Sequence, residues 1–361
     1  MSLRTPAFRR AYRHLSQRSF INSSRGLADH VRIIEVGPRD GLQNEKTSIS
    51  VETKVELVRR LAGTGLETIE AGSFSHPKWV PQVYHCTIMA SMQSKGLDSF
   101  FKVMHNAPPA TDGYPTPPPS PQHESSSAST PGVGSKVSES NKRSGNNHEV
   151  SIFMAATESF SKKNTNCSIQ ESLDRFAPLM AESRRQGFPV RAYISVALGC
   201  PFEGPDTDPH KVADLAVKLL EMGADEISVA DTTGMGTAPA TKQLLRTLKD
   251  AGVRNDDIAM HFHDTFGQAL INTMVSLDHG IRAFDSAVGG LGGCPYSPGA
   301  TGNVATEDLV YTLHSLGAKT GIDLDEMSRI GGWITSEIGK ENGSSAGKAT
   351  LSRLRREAGE A

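Results

Sequence analysis

Cysteine is scarce in this sequence. Cys86, Cys167, Cys200 and Cys294 are the four in 361 residues, too few and too scattered for a disulfide scaffold, and they suit a reducing compartment. No CxxC pair occurs, which argues against a structural zinc site. Net charge is nearly absent as well, at −2, so overall charge gives no reason to expect nucleic acid as a partner. No run of 18 apolar residues exists, and no membrane span is expected. No GxGxxG follows the first candidate strand, which weakens a dinucleotide-binding reading. Acidic residues are missing from positions 1–28, where Arg4, Arg9, Arg10, Arg13, Arg18 and Arg25 stand among five serines. Such a leader reads as a mitochondrial transit peptide and implies the matrix. No Ser-Lys-Leu ends the chain.

From residue 31 onward, β-rich runs alternate with stretches of helical period. The runs are 31–36, 68–71, 150–155, 190–196, 226–230, 258–263 and 283–287. Between them apolar residues recur three or four apart, as in Val51, Val55, Val58 and Leu61, or Val212, Leu215, Leu219 and Met222. Strands alternating with helices predict a parallel sheet. Most strands are spaced by one β–α unit, and the gap between 71 and 150 holds room for another. Eight units predict a (β/α)8 TIM barrel, with a domain over 29–340 and a flexible tail over 341–361. The gap is irregular, however. Residues 107–147 are dominated by proline, serine and glycine, and cannot bury enough apolar surface to order. The third β/α unit is therefore expected to be replaced by a disordered insert. Its one strand-like candidate is FFKVMH at 100–105.

Three constellations carry chemistry. His261 and His263, two apart on a strand, share a face and form half of a metal site or a packed polar pair. Arg39 and Asp40, inside Gly37-Pro38-Arg39-Asp40-Gly41, end the first strand. Barrel active sites lie at that end of the strands. Glu70 and Asp231 also end strands there, so charged groups from four strands would converge on one rim. The third constellation is residues 289–303, GGLGGCPYSPGATGN, after the last strand. Its glycines permit unusual backbone angles and close approach to a ligand. A lone Cys294 in such a loop reads as an accessible, tunable thiol.

Together VGPRDGLQNE, IEAGSF, PKWVPQ, ALGCPFEG, ADTTGMG, HFHDTFGQAL and GGLGGCPYSPGATGN resemble the 3-hydroxy-3-methylglutaryl-CoA lyase family of metal-dependent TIM-barrel enzymes. The likeness covers most of 31–106 and 148–317. It implies retro-Claisen cleavage of 3-hydroxy-3-methylglutaryl-CoA to acetoacetate and acetyl-CoA, as in leucine degradation and ketogenesis. It implies a homodimer whose partner molecule is an acyl-CoA thioester. It also implies that Asp40, His261, His263 and Asn303 bind a divalent cation, Mg2+ or Mn2+, and that Arg39 contacts the thioester oxygen. Cys294 would act in acid–base chemistry, while Gln43, Glu70, Asp231 and Thr232 line the site. His261, Asp40 and Asp231 all stay open as the base. Two other readings compete. A Claisen-type condensing synthase would share Arg39, Asp40, His261 and His263 but not the GGLGGCPY loop. A non-catalytic product with an open barrel would follow if the insert removed a strand.

Overall fold

The strands predicted from the alternating runs form and pair in order. A computed structural model describes residues 30–43, 45, 49–72, 88–91, 148–293 and 302–359. The strands are β1 (Arg32–Glu35), β2 (Thr68–Glu70), β3 (Ile88–Ser91), β4 (His148–Ala155), β5 (Val190–Ser195), β6 (Glu226–Asp231), β7 (Ile258–Phe262) and β8 (Ala283–Ser286). They close into a barrel in sequence order, with β8 back against β1 and Ile34 opposite Asp285. Every pairing is parallel except those of β3, which runs antiparallel to both β2 and β4.

Between β2 and β4 a four-residue antiparallel strand stands in place of the third parallel one, and the ring closes, against the open-barrel reading. An antiparallel strand returns from the end at which its neighbour finishes, so it needs no crossover helix. The candidate at 100–105 and the insert at 107–147 lie outside the described residues, as does the leader at 1–28.

Helices cover the outside: α1 (Val51–Ala62), α2 (Glu158–Thr165), α3 (Ile169–Arg185), α4 (Pro209–Met222), α5 (Ala238–Asp250), α6 (Ala269–Asp278), α7 (Thr306–Ser315), α8 (Leu324–Glu337) and α9 (Ser345–Glu357). Their starts follow local chemistry. The Ser50 hydroxyl accepts from Thr53 N at the head of α1, Asp208 accepts from His210 N ahead of Pro209 in α4, and Ser168 and Glu171 close a capping box on α3. Each satisfies a backbone donor that the first turn leaves orphaned. The apolar stripes then meet the strands. Leu57, Leu61, Val212, Leu219, Leu244 and Leu248 pack on Ile33, Ile69, Ile194, Ile227, Val229 and Met260, all fully or nearly fully buried. This layer, between barrel and helices, is the hydrophobic core.

The C-terminal segment corrects one expectation. Residues 341–361 read as a flexible tail, but α9 occupies most of that span. Asp308 in α7 accepts from the Ser344 hydroxyl at 2.9 Å and from Ala346 N at 2.6 Å, and Arg353 pairs with Asp325 of α8. Few apolar residues mark this helix, so anchors on other helices hold it.

Candidate functional site

Strand alternation sorts the side chains of the barrel. Val190, Ala192 and Ile194 face the helices, while Arg191 and Tyr193 reach across the interior to other strands. On β6, Glu226 and Ser228 face inward, as do His261 on β7 and Asp285 on β8. The interior is thus polar, and its ion pairs climb from one mouth to the other. Arg32 pairs with Glu226, Glu226 with Arg191 at 3.0 Å, and Arg191 with Asp285 at 2.5 Å.

At the C-terminal mouth the chain leaves β1 in one wide turn, with the amides of Arg39, Asp40 and Gly41 all donating to Val36 O. Glu35 anchors the turn: its Oε1 accepts from Gly37 N at 2.8 Å and from Val288 N at 2.9 Å, and its Oε2 from the Thr306 hydroxyl at 2.6 Å. A Cβ at Gly37 would lie 2.5 Å from that Oε1, so glycine is required there. Arg39 then donates to Asp40 Oδ1 at 2.7 Å and to Glu70 Oε2 at 2.6 Å. Its guanidinium lies 4.8 Å from the Phe153 ring centroid, and the Tyr193 hydroxyl donates to the same Glu70 oxygen at 3.0 Å. The cation is held from three sides and is only 8% exposed.

Asp40 joins this cation to the histidines. Its Oδ2 stands 4.0 Å from His261 Nε2 and 3.8 Å from His263 Nε2 and accepts from Asn303 Nδ2 at 2.8 Å. Asn303 arrives from the far end of the glycine-rich loop. Val304 N donates to Phe262 O and Asp264 N to Gly302 O, so this segment extends the sheet beside β7. A Cβ at Gly302 would sit 2.4 Å from the Gly292 carbonyl carbon, and only two glycines let the loop's ends touch. Burial alone would raise the Asp40 carboxyl, but Arg39, His263 and His261 outweigh it and hold it far below the ordinary carboxylate range. Burial lowers His263, against the pull of Asp40, and keeps its imidazole neutral.

A divalent cation fits this donor set. Asp40, His261 and His263 each offer an atom within 4.8 Å of the others, and Asn303 Oδ1 is buried without a hydrogen-bond partner among the described residues. One carboxylate, one amide oxygen and two imidazoles suit such an ion, and buried acceptors without donors are costly unless something fills them.

Not every predicted residue joins the cluster. Gln43 is half-buried just past the Arg39 turn. The Thr232 hydroxyl accepts from Val196 N at 2.9 Å. It supports a β-branched residue at φ 55°, a strained conformation of the kind stored near active sites. Asp231 Oδ2 accepts from Gly236 N at 3.0 Å, while its Oδ1 has no partner among the described residues. Burial pushes that carboxyl up to about 7. Cys294 lies outside the described residues. Sequence reasoning missed Glu35, Arg191, Tyr193, Asp285 and Glu307. The signal was present for Arg191 and Asp285, because an ionic residue inside an apolar strand run needs a partner.

The HMGL-like family model matches residues 30–334. The chain belongs to that family. It is 45% identical over 327 residues to a 3-hydroxy-3-isohexenylglutaryl-CoA/hydroxymethylglutaryl-CoA lyase of Pseudomonas aeruginosa, covering 91% of this chain and 99% of that one. It is 42% identical to a mitochondrial hydroxymethylglutaryl-CoA lyase of Mus musculus, covering 93% and 94%. The crystal structure of a Pseudomonas aeruginosa hydroxymethylglutaryl-CoA lyase superposes with a TM-score of 0.70 at 40% identity, over 90% of this chain and 98% of that one. As an HMGL-like protein the chain is a carbon–carbon lyase, and its barrel is the family's barrel.

Proposed function

We propose that this HMGL-like chain cleaves 3-hydroxy-3-methylglutaryl-CoA to acetoacetate and acetyl-CoA at the mouth formed by Arg39, Asp40, Glu70, His261, His263 and Asn303. The observation that carries this is the meeting of those residues, from β1, β2, β7 and the loop after β8, in one buried cluster. Asp40, His261, His263 and Asn303 would hold Mg2+ or Mn2+, which when bound acidifies the substrate hydroxyl and orients it. Oxygen donors suit either ion, and two imidazoles tilt the choice toward manganese.

The chain's own groups do the rest. Asp40 is committed to Arg39 and Asn303, and His261 Nδ1 to Asp285. Asp231 keeps an unpartnered buried oxygen, so it takes the hydroxyl proton, and burial raises its pKa toward the working range of a general base. The carbon–carbon bond then breaks, leaving the enolate of acetyl-CoA. Arg39, preorganised by Glu70 and by the Phe153 and Tyr193 rings, meets the negative charge on the thioester oxygen. Cys294 delivers a proton to the enolate carbon. Gln43 and Thr232 line the mouth. The same reading places the chain in the mitochondrial matrix, directed by its arginine-rich leader, and makes the active unit a homodimer.

The test is release of acetyl-CoA from the thioester by purified protein with added Mg2+ or Mn2+. Cleavage that stops when the ion is chelated is expected. Condensation of acetyl-CoA with an oxo acid in place of cleavage would sink the reading.

A further inference from the structure

The two histidines of the cluster are supported unequally. His263 Nδ1 is buried with no hydrogen-bond partner among the described residues. His261 turns its Nδ1 toward the barrel interior, 3.1 Å from Asp285 Oδ2, and its Nε2 toward Asp40. Asp285 is buried on β8 and is itself held at both oxygens. Oδ1 accepts from Arg191 Nη2 at 2.5 Å, and Oδ2 also accepts from the Ser228 hydroxyl at 3.0 Å. Paired with a guanidinium, this carboxylate is an acceptor only. The proton between Asp285 and His261 therefore sits on Nδ1, and Nε2 is the nitrogen that faces Asp40. The Tyr193 ring meets the imidazole edge-on, at 6.0 Å and 83° between planes, and limits its swing.

We propose that Asp285 is a positioning residue for the cation site. Held by Arg191 and Ser228, it fixes the tautomer and ring direction of His261, so that Nε2 is the atom presented beside Asp40. The inference rests on reading Asp40 and His261 as cation ligands. Asp285 acts through His261 and touches no reacting atom. Outer partners of this kind orient a ligating imidazole and raise its basicity, and losing one costs roughly 10–100-fold in metal affinity.

Two measurements test it. In the full chain labelled with 15N-histidine, free of metal and above the ordinary histidine pKa, two-bond nitrogen–proton correlations report the tautomer. Nδ1–H at His261 is expected, and Nε2–H would overturn the proposal without any mutation. The second is Mn2+ titration followed by the electron paramagnetic resonance of the free ion. Asp285→Asn is expected to weaken binding roughly 10–100-fold, with His261 becoming a mixture of tautomers. Ser228→Ala, which leaves the Arg191 ion pair intact, is expected to weaken binding less and covers the case in which Asp285→Asn does not fold. Unchanged Mn2+ affinity in a folded Asp285→Asn variant would overturn the proposal. Failure of the underlying reading looks different: the unaltered chain would then bind no Mn2+.

Discussion

The inside of the barrel and the layer around it are built from the same strands by opposite means. The outward side chains, such as Ile33, Ile69, Ile194, Val229 and Met260, meet helix residues in an apolar layer. There burial of area is the driving force, and no single contact is special. The inward side chains form a charged column, Arg32–Glu226–Arg191–Asp285–His261–Asp40–Arg39–Glu70, in which each group is placed by the next. Taking charges out of water is expensive, and their mutual attraction does little more than offset that cost. The column is therefore poor stabilisation but good positioning. A fault in the layer is shared among many neighbours, whereas a fault in the column strands a charge and travels to the rim.

The largest effect is expected in the middle of the column. Arg191→Met leaves Asp285 and Glu226 short of a partner and should cost about 3–5 kcal/mol of stability, read by urea denaturation. Adding Asp285→Leu should recover most of that loss without restoring Mn2+ affinity, and recovery of both would mean that the column does not position the site. At the rim, Arg39→Ala should lower kcat by roughly 10²–10³, the toll of removing one preorganised charge donor, equivalent to about 2.7–4 kcal/mol. Near-normal turnover by that variant would remove Arg39 from the chemistry.

Glu307 sharpens the contrast through pH. It is a buried carboxyl outside the column whose Oε1 and Oε2 both face Gly289 N. Burial pushes it up to about 8 from an ordinary 4.5. The folded protein then keeps a proton that the unfolded chain has lost. Its contribution to stability is full below about pH 4.5 and is lost as pH rises through about 8. Glu307→Gln should flatten that decline, by at most about 1.4 kcal/mol per pH unit. An identical slope in the variant would show that the group is not protonated. In the apolar layer, Ile227→Val should cost only about 0.5–1.5 kcal/mol, with Mn2+ affinity and turnover unchanged. A change in either would break the separation between the two regions.

Much of this was legible in advance. The seven parallel strands fell within a residue or two of the alternating runs, because apolar periodicity is a local property. Asp40, His261 and His263 were legible because turns and an HxH step at strand ends mark a barrel rim. β3 was not, since its run is short and takes its direction from the strands beside it. α9 was missed for a related reason: Asp308 and Asp325 anchor it, and neither anchor lies within the helix. Asp285 was passed over because an acid in a strand acquires meaning only from the arginine and histidine facing it on other strands.

The sequence by itself determined the β–α rhythm, the caps that start several of the helices, the residue types at the rim, and membership of a lyase family. Those features depend on neighbours within a few positions of the chain. Tertiary structure alone decided that β3 closes the ring in reverse, that the C-terminal segment docks on α7 and α8, and that His261 offers Nε2 rather than Nδ1. Each depends on groups brought together from distant strands or helices, and the charges inside the barrel tolerate few arrangements because none can be left unpaired.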